Sequence, residues 1–231
     1  MSQTIPVALV QMNSGLGAKD NLDTIEARVA EARRAGAVYV LTPEMSVVFA
    51  RNRAGLQAEA ERWENNGAIA RLAGIARENG VFLHIGSLAI ALEGGRFANR
   101  SVLFDPEGEI VSRYDKIHLF DADIDGENGY RESATYAGGD TAVVADIVPF
   151  KLGISICYDL RFPALYRTLA TAGAQVIVVP SAFTVPTGEA HWHVLLQARA
   201  IETGCFILAA AQGGSHENGR STYGHSLIVD P

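Results

Sequence analysis

The chain has 231 residues, 48% of them hydrophobic, with a formal net charge of −7. This length and composition fit one large domain of helices and strands around a sizeable core. The acidic balance, without a run of lysine or arginine, argues against nucleic acid or an anionic membrane as a partner. No apolar stretch is long enough to span a bilayer, and the start MSQTIPVALVQ lacks the features of a secretory signal. Two cysteines in a chain of this length do not make a disulfide framework. We therefore predict a cytoplasmic protein.

The apolar pattern predicts alternating strands and helices in the first half of the chain. In order, these are a strand at 5–12, a helix from Asn21 that stops at Gly36, a strand at 37–41, a helix at 67–79 closed by Gly80, a strand at 81–90, and a hairpin of strands 97–104 and 109–116. Residues 121–140 have little periodicity and are predicted to form a long ordered loop, which is often functional.

The second half continues in the same manner. We predict strands at 141–147 and 151–156, a helix at 162–172, a strand at 175–180, a helix at 191–203, and strands at 205–210 and 223–230. Helices follow some strands and hairpins follow others, so the predicted class is α/β with mixed (α+β) sheets whose faces are covered by helices.

Three predicted strand ends carry reactive side chains. Cys157 ends GISIC, Glu44 follows AVYVL in LTPE, and Lys116 follows EIVSR in SRYDK. A thiol needs a nearby base or cation to become a nucleophile, a carboxylate can move its proton, and an ammonium can stabilise an oxyanion. The backbone N–H of Tyr158 is a further candidate oxyanion donor. Together they predict covalent catalysis on an acyl group.

Each residue also has a simpler interpretation. Cys157 is compatible with a packed core thiol, Glu44 with a helix cap, and Lys116 with a surface cation. The sequence alone does not show that the three strand ends meet. A papain-like pair of Cys157 with His118 is a rival mechanism, although the local papain signature is absent.

The segments LTPE, SRYDKIHLFD and GISICYDLRFP resemble, in order, the three signature segments of the carbon–nitrogen hydrolase (nitrilase) superfamily. The resemblance implies a four-layer α-β-β-α sandwich, a homodimer or higher homo-oligomer, and a cofactor-free Glu–Lys–Cys mechanism through a thioester. It also implies a second glutamate beside the lysine, which maps onto Glu132, although an ordinary loop acid is an alternative interpretation of Glu132. Because family members continue beyond the sequence DP, the resemblance makes residues 1–231 a single domain that lacks its C-terminal end.

Within the superfamily, PSAFTVPTGEAHWHVLLQARAIETGCFILAAAQGG resembles the branch that hydrolyses deaminated glutathione to 2-oxoglutarate and Cys-Gly. The omega-amidase branch, which acts on 2-oxoglutaramate and related ω-amides, shares part of these segments and remains an alternative, as does a carbamoyl-amino-acid amidase. Such small-molecule amides are anionic, so the site needs cations or donors. The candidate substrate-binding residues are Tyr158, Arg161, Thr187, His191 and Trp192. Arg161 has the fork geometry for a carboxylate, but it also suits an ion pair with Asp159.

Other signals are weak. His191 and His193 lie on different faces of a helix, and no Cys or His cluster has zinc spacing, so we predict no metal site. SGLGAKD lacks the third glycine of a dinucleotide loop, and Cys205 lies within an apolar run as a core residue would. The alternative to an enzyme is a non-catalytic scaffold, against which the intact Glu44, Lys116 and Cys157 argue.

Overall fold

A computed structural model describes residues 4–123 and 130–231, and most strands of these residues belong to two sheets. The described strands are β1 (Val7–Leu9), β2 (Tyr39–Leu41), β3 (Phe82–Ala91), β4 (Phe97–Phe104), β5 (Ile110–Asp115), β6 (Asp121–Ala122), β7 (Tyr130–Arg131), β8 (Tyr136–Ala137), β9 (Val143–Ile147), β10 (Phe150–Ile154), β11 (Val176–Val178), β12 (Phe206–Ala209), β13 (Gly213–Ser215), β14 (Ser221–Tyr223) and β15 (Leu227–Val229). The described α-helices are α1 (Ala18–Arg34), α2 (Arg53–Glu59), α3 (Gly67–Asn79), α4 (Pro163–Thr171) and α5 (Val185–Thr203).

The first sheet has the order β1-β2-β3-β4-β5, with the short β8 beside β4. Strands β1, β2 and β3 are parallel, as expected when helices connect them, whereas β3, β4 and β5 are antiparallel neighbours. Helices α1 and α3 pack beside each other and bury Ile25, Val29 and Leu72 against this sheet. One face of the first sheet is therefore covered by helices.

The second sheet has the order β15-β12-β11-β10-β9, with α4 and α5 packed on it. Its core includes Leu169 and Leu196 from these helices and also Tyr39, Leu41 and Tyr114 from the first sheet. The second sheet therefore lies between a helical layer and the first sheet. The order of layers is α-β-β-α, which confirms the predicted fold.

Several predicted elements agree closely with the structure. Helix α3 spans the predicted residues and ends at Gly80, whose φ of 59° is the left-handed conformation that suits glycine. Strand β4 also has the predicted bounds. Helix α3 buries one apolar side in the core, whereas β4 is buried on both faces.

Other elements differ from the prediction. Helix α5 begins at Val185 rather than His191, since Pro186 is accommodated in its first turn. Helix α2 and the hairpin of β13 and β14 were missed, because α2 buries only Leu56 and β13 is largely glycine. The predicted loop at 121–140 contains the short strands β6, β7 and β8, and its residues 124–129 lie outside the described residues.

Candidate active site

The nucleophile candidate Cys157 stands on a sharp turn just after β10. It begins a short 3-10 helix, Cys157–Arg161, and its φ of 49° is the left-handed conformation that non-glycine residues adopt at a cost. The backbone N–H of Cys157 donates to the carbonyl of Pro180 just beyond β11, at 2.9 Å. The turn thus fixes the thiol at the ends of two parallel strands, and its residue is only 8% exposed.

Lys116 and two glutamates form a buried ionic cluster beside this turn. The Lys116 ammonium donates to Oε1 of Glu44 at 2.8 Å and to Oε2 of Glu132 at 2.9 Å. Burial by itself would lower the pKa of Lys116, but the charges of Glu132 and Glu44 outweigh it and raise the pKa well above its usual value. Lys116 is therefore a permanent cation, and the cluster of three groups carries a net negative charge.

Asn99, which the sequence reasoning missed, connects the two glutamates. Its side-chain amide donates to Oε1 of Glu44 at 3.1 Å and to Oε1 of Glu132 at 3.0 Å. The backbone carbonyl of Asn99 also accepts from the N–H of Lys116 at 3.0 Å. A polar residue inside the apolar strand FANRSVLF was the available signal, because a buried amide in a strand needs polar partners. Asn99 thus holds both carboxylates against the ammonium.

Cys157 lines the same cavity as this cluster. Burial and the charge of Glu44 raise the pKa of Cys157 well above its usual value, although the charge of Lys116 acts in the opposite direction. The oxygen of Glu44 that does not accept from Lys116, Oε2, accepts from the N–H of Ala182 at 2.9 Å. The resting nucleophile is therefore a neutral thiol beside a carboxylate that can take its proton.

Asp159 connects the nucleophile turn to the strand end that carries the lysine. This carboxylate is completely buried, and its Oδ2 accepts from the N–H of Ile156 at 2.9 Å and from the hydroxyl of Tyr114 at 2.7 Å. Its Oδ1 accepts from the N–H of His118 at 3.0 Å and lies 2.6 Å from His118 Nδ1. Because Ile156 precedes Cys157 and His118 follows Lys116 by two residues, Asp159 sets the spacing between the thiol and the ammonium.

A cavity opens over these groups. Its described lining includes Glu44, Lys116, Glu132 and Cys157 together with apolar and aromatic side chains such as Phe49 and Tyr136. Four arginines also line it, so its described charged residues are five cations and two carboxylates. The arginines are Arg51, Arg53, Arg131 and Arg220. In a chain of net charge −7 such a cationic cavity favours an anionic ligand.

The structure thus brings together all four predicted catalytic residues. The five predicted substrate-binding residues lie elsewhere: in the part of the chain that the structure describes, none of their side chains is in the cavity lining. They are Tyr158, Arg161, Thr187, His191 and Trp192.

Their contacts explain these positions. A nitrogen of the Arg161 guanidinium lies 3.2 Å from Nδ1 of His191, and the guanidinium stacks over Tyr158, not on the carboxylate of Asp159. Trp192 is buried and donates to the carbonyl of His225 at 2.9 Å. Tyr158 and Arg161 lie in the short 3-10 helix, and the other three residues lie in α5. Arg220 was missed, because a single arginine in a polar turn sequence has no distinguishing pattern.

The remaining sequence signals resolve simply. Cys205 is buried 3.1 Å from the carbonyl of Ala174, and His118 stacks on Phe162 while it contacts Asp159. Within residues 4–123 and 130–231 there is no group of three or more potential ligands arranged for a metal ion. None of the helices in these described parts is both long and apolar enough to cross a bilayer.

The α-β-β-α sandwich with this buried cluster is characteristic of hydrolases that act on carbon–nitrogen bonds. The chain belongs to the carbon-nitrogen hydrolase family, whose model matches residues 6–231. It is 45% identical over 227 residues to the deaminated glutathione amidase of Yersinia enterocolitica, an alignment that covers 97% of this chain and 79% of the relative.

Solved structures give the same result. The NitFhit protein of C. elegans superposes with a TM-score of 0.89 at 32% identity, over 99% of this chain and 57% of that one. A mutant of the amidase from Nesterenkonia sp. AN1, which shows Michael addition of acrylamide at its active-site cysteine, has a TM-score of 0.85 at 28% identity, over 99% of this chain and 86% of that one.

Proposed function

We propose that this hydrolase cleaves the amide bond of deaminated glutathione, giving 2-oxoglutarate and Cys-Gly through a thioester on Cys157. The observation that carries the proposal is that buried Cys157, Glu44 and Lys116 line one cationic cavity, with the carboxylate of Glu44 held by Lys116 at 2.8 Å. The choice of substrate is supported by the relative from Yersinia enterocolitica, which is a deaminated glutathione amidase.

In the acylation step the sulfur of Cys157 attacks the amide carbon while Glu44 takes the thiol proton. The electron pair of the carbonyl moves to its oxygen, which Lys116 and the backbone N–H of Tyr158 stabilise. The carbon–nitrogen bond then breaks, and the proton on Glu44 passes to the departing nitrogen of Cys-Gly. This leaves 2-oxoglutarate as a thioester on the enzyme.

Deacylation uses the same base. Water gives a proton to Glu44 as its oxygen attacks the thioester carbon, and breakage of the carbon–sulfur bond releases 2-oxoglutarate. The proton returns to the sulfur, so each turnover consumes one amide and one water. Glu132 shares the ammonium with Glu44 and is placed to orient Lys116 and the attacking water.

The charge of the cavity supports an anionic amide over a neutral one. Deaminated glutathione carries one carboxylate on its keto-acid part and one on its glycine, and the described lining has an excess of cations. 2-Oxoglutaramate, the substrate of the alternative omega-amidase function, carries the first carboxylate only. A small neutral nitrile or amide would not balance this excess of positive charge.

The test is to incubate the protein with deaminated glutathione and measure 2-oxoglutarate and Cys-Gly. We expect turnover by the wild type, loss of turnover and of acyl-enzyme mass in Cys157→Ala, and activity retained in Cys205→Ala. Turnover of 2-oxoglutaramate with none of deaminated glutathione would instead assign the omega-amidase function. Activity in Cys157→Ala would overturn the thioester mechanism.

We further propose that the chain acts as a homodimer that associates through α5. Val194 and Ile201 lie seven residues apart on one face of this helix and are 58% and 75% exposed, which is unusual for large apolar side chains. Light scattering at micromolar concentration should give twice the chain mass, and Ile201→Asp should give the single mass. A wild-type monomer would refute the proposal.

A further inference from the structure

Arg220 occupies a fixed position at the turn between β13 and β14. Its backbone N–H donates to Oδ1 of Asn218 at 2.9 Å, and the side-chain amide of Asn218 donates to the carbonyl of Phe49 at 3.0 Å. The residue before Asn218 is Glu217, and the backbone carbonyl of Glu217 accepts from the guanidinium of Arg51 at 2.8 Å. The turn is thus hydrogen-bonded to Phe49 and Arg51 of the cavity lining, and these bonds position Arg220 before any ligand enters.

The Arg220 guanidinium lies over two aromatic rings of the cavity. Its central carbon is 5.5 Å from the ring centre of Phe49 and 5.2 Å from that of Tyr130. Aromatic rings contact the faces of a guanidinium, whereas its five N–H donors project from the edge in the plane. Phe49 and Tyr130 therefore contact the cation without accepting a hydrogen bond from it in the structure.

The other cavity arginines have protein acceptors. Arg51 donates to the carbonyl of Glu217, Arg53 to the carbonyl of Gly95, and Arg131 to the carboxylate of Asp123. For the guanidinium of Arg220 the structure shows no hydrogen bond or carboxylate partner within the described ranges, 4–123 and 130–231. Within the described residues, it is therefore the one of these four arginines whose guanidinium donates to no protein acceptor.

We propose that Arg220 binds a carboxylate of the substrate and thereby determines the preference for anionic amides. A guanidinium presents two parallel N–H groups, which match the two oxygens of a carboxylate. The inference rests on the proposed amidase function and assigns its substrate recognition to Arg220 instead of Arg161, whose donor engages His191. Either carboxylate of deaminated glutathione can supply this chemistry, and the two are separated by experiment.

The test compares Arg220→Gln and Arg220→Lys with the wild type on three substrates. These are deaminated glutathione, an analogue with a methyl group in place of the keto-acid carboxylate (levulinoyl-Cys-Gly), and deaminated glutathione with a C-terminal glycinamide. Loss of a charge-assisted bidentate contact corresponds to about 10- to 100-fold in affinity. We expect Arg220→Gln to raise KM for deaminated glutathione by that factor with little change in kcat, as for loss of uniform binding.

The analogues identify the carboxylate. The analogue that lacks the carboxylate bound by Arg220 should be a poor substrate for the wild type, and Arg220→Gln should change the kcat/KM for that analogue by less than about twofold. The other analogue should behave like deaminated glutathione. Arg220→Lys should recover part of the affinity, because it keeps the charge but not the fork. The matched control is Arg113→Gln, since Arg113 lies over the ring of Trp63 at 5.4 Å and outside the described lining of this cavity.

Two results would overturn the inference: an equal loss on all three substrates, which would indicate a structural role, or no loss on any. Its failure is distinguishable from failure of the proposed function. If the wild type cleaves only 2-oxoglutaramate, the same comparison is made between 2-oxoglutaramate and 4-oxopentanamide, which lacks the carboxylate. A carboxylate-dependent effect of Arg220→Gln then supports the inference although the peptide substrate is wrong.

Discussion

Replacement of Asp159 by asparagine perturbs the connection between the nucleophile turn and the lysine strand end. The carboxylate accepts from two backbone N–H groups, those of Ile156 and His118, and contacts the side chains of Tyr114 and His118. An asparagine has one acceptor oxygen, and its NH2 group would face one of the two backbone donors. The tyrosine hydroxyl and the imidazole can adjust by rotation or tautomer change, but a backbone N–H cannot. One buried donor is therefore left without an acceptor in either orientation of the amide.

The magnitude follows from this count. An unsatisfied buried donor costs about 1–3 kcal/mol, and conversion of the remaining charge-assisted bonds to neutral ones costs roughly 1 kcal/mol more. We expect Asp159→Asn to lower the free energy of unfolding by about 2–4 kcal/mol, which for a chain of this size lowers Tm by about 4–16 °C. Because the thiol and ammonium lose their fixed spacing, kcat should fall as well, by about tenfold or more.

Thermal unfolding followed by circular dichroism measures the first effect, and amide hydrolysis well below Tm measures the second. The matched control is Asp146→Asn, because that carboxylate is 72% exposed and lies 4.0 Å from Lys151. A surface pair of this kind contributes about 0–1 kcal/mol. If Asp159→Asn melts within about 1 °C of Asp146→Asn, the reasoning on the buried donors is refuted.

Three further predictions concern the site and the first sheet. Glu44→Gln should reduce hydrolysis by about 10²-fold or more because it removes the base. The Cys157 thiol should then ionise at a lower pH than in the wild type, because burial and the charge of Glu44 together raise its pKa and the variant removes the charge. Thiolate absorbance followed against pH measures this, and an unchanged or higher pH of ionisation would contradict the assignment. Burial lowers the pKa of His84 from 6.5 to about 3, so the unfolded chain binds the proton more strongly than the folded chain. The free energy of unfolding present above pH 6.5 should therefore decline by about 1.4 kcal/mol per pH unit as the pH falls toward 3. Denaturant unfolding at pH 6.5 and 4.5 should show this slope in the wild type and a smaller slope in His84→Gln; equal slopes would reject it. A Cβ at Gly86 would collide with the carbonyls of Thr42 and Pro43 and the ring of Pro180, so Gly86→Ala should lower the free energy of unfolding by roughly 1–3 kcal/mol and disturb Glu44. Gly74→Ala, which has open space around its Cβ, should raise the free energy of unfolding by about 0.5–1 kcal/mol. Melting curves in which both variants shift in the same direction from the wild type would contradict this prediction.

The elements with strong apolar periodicity could be predicted from the sequence, and weakly apolar ones could not. Helix α3 and strand β4 each bury a continuous set of side chains, and their predicted bounds agree with the structure. The hairpin of β13 and β14 was missed because its first strand is Gly213, Gly214 and Ser215, which bury nothing. That hairpin carries Arg220 to the cavity, so one of the described cations of the site has no periodic signal.

The same division holds for the site. Glu44, Lys116 and Cys157 could be selected from the sequence, because each combines a reactive side chain with the end of an apolar strand and resembles a family segment. Their convergence needed the fold, since the Lys116 ammonium meets Glu44 across 72 positions of the chain. The same is true of Asn99 and Asp159, whose roles depend on partners 33 to 55 residues away.

Local chain chemistry therefore determined which groups are available for reaction and where the strands that carry them end. Tertiary packing decided which of these groups meet, that the thiol is neutral beside its base, and that arginines outside the conspicuous segments line the cavity. The physical reason is that reactivity and secondary-structure preference belong to neighbouring residues, whereas burial, charge contact and cavity shape depend on residues that only the folded chain brings together.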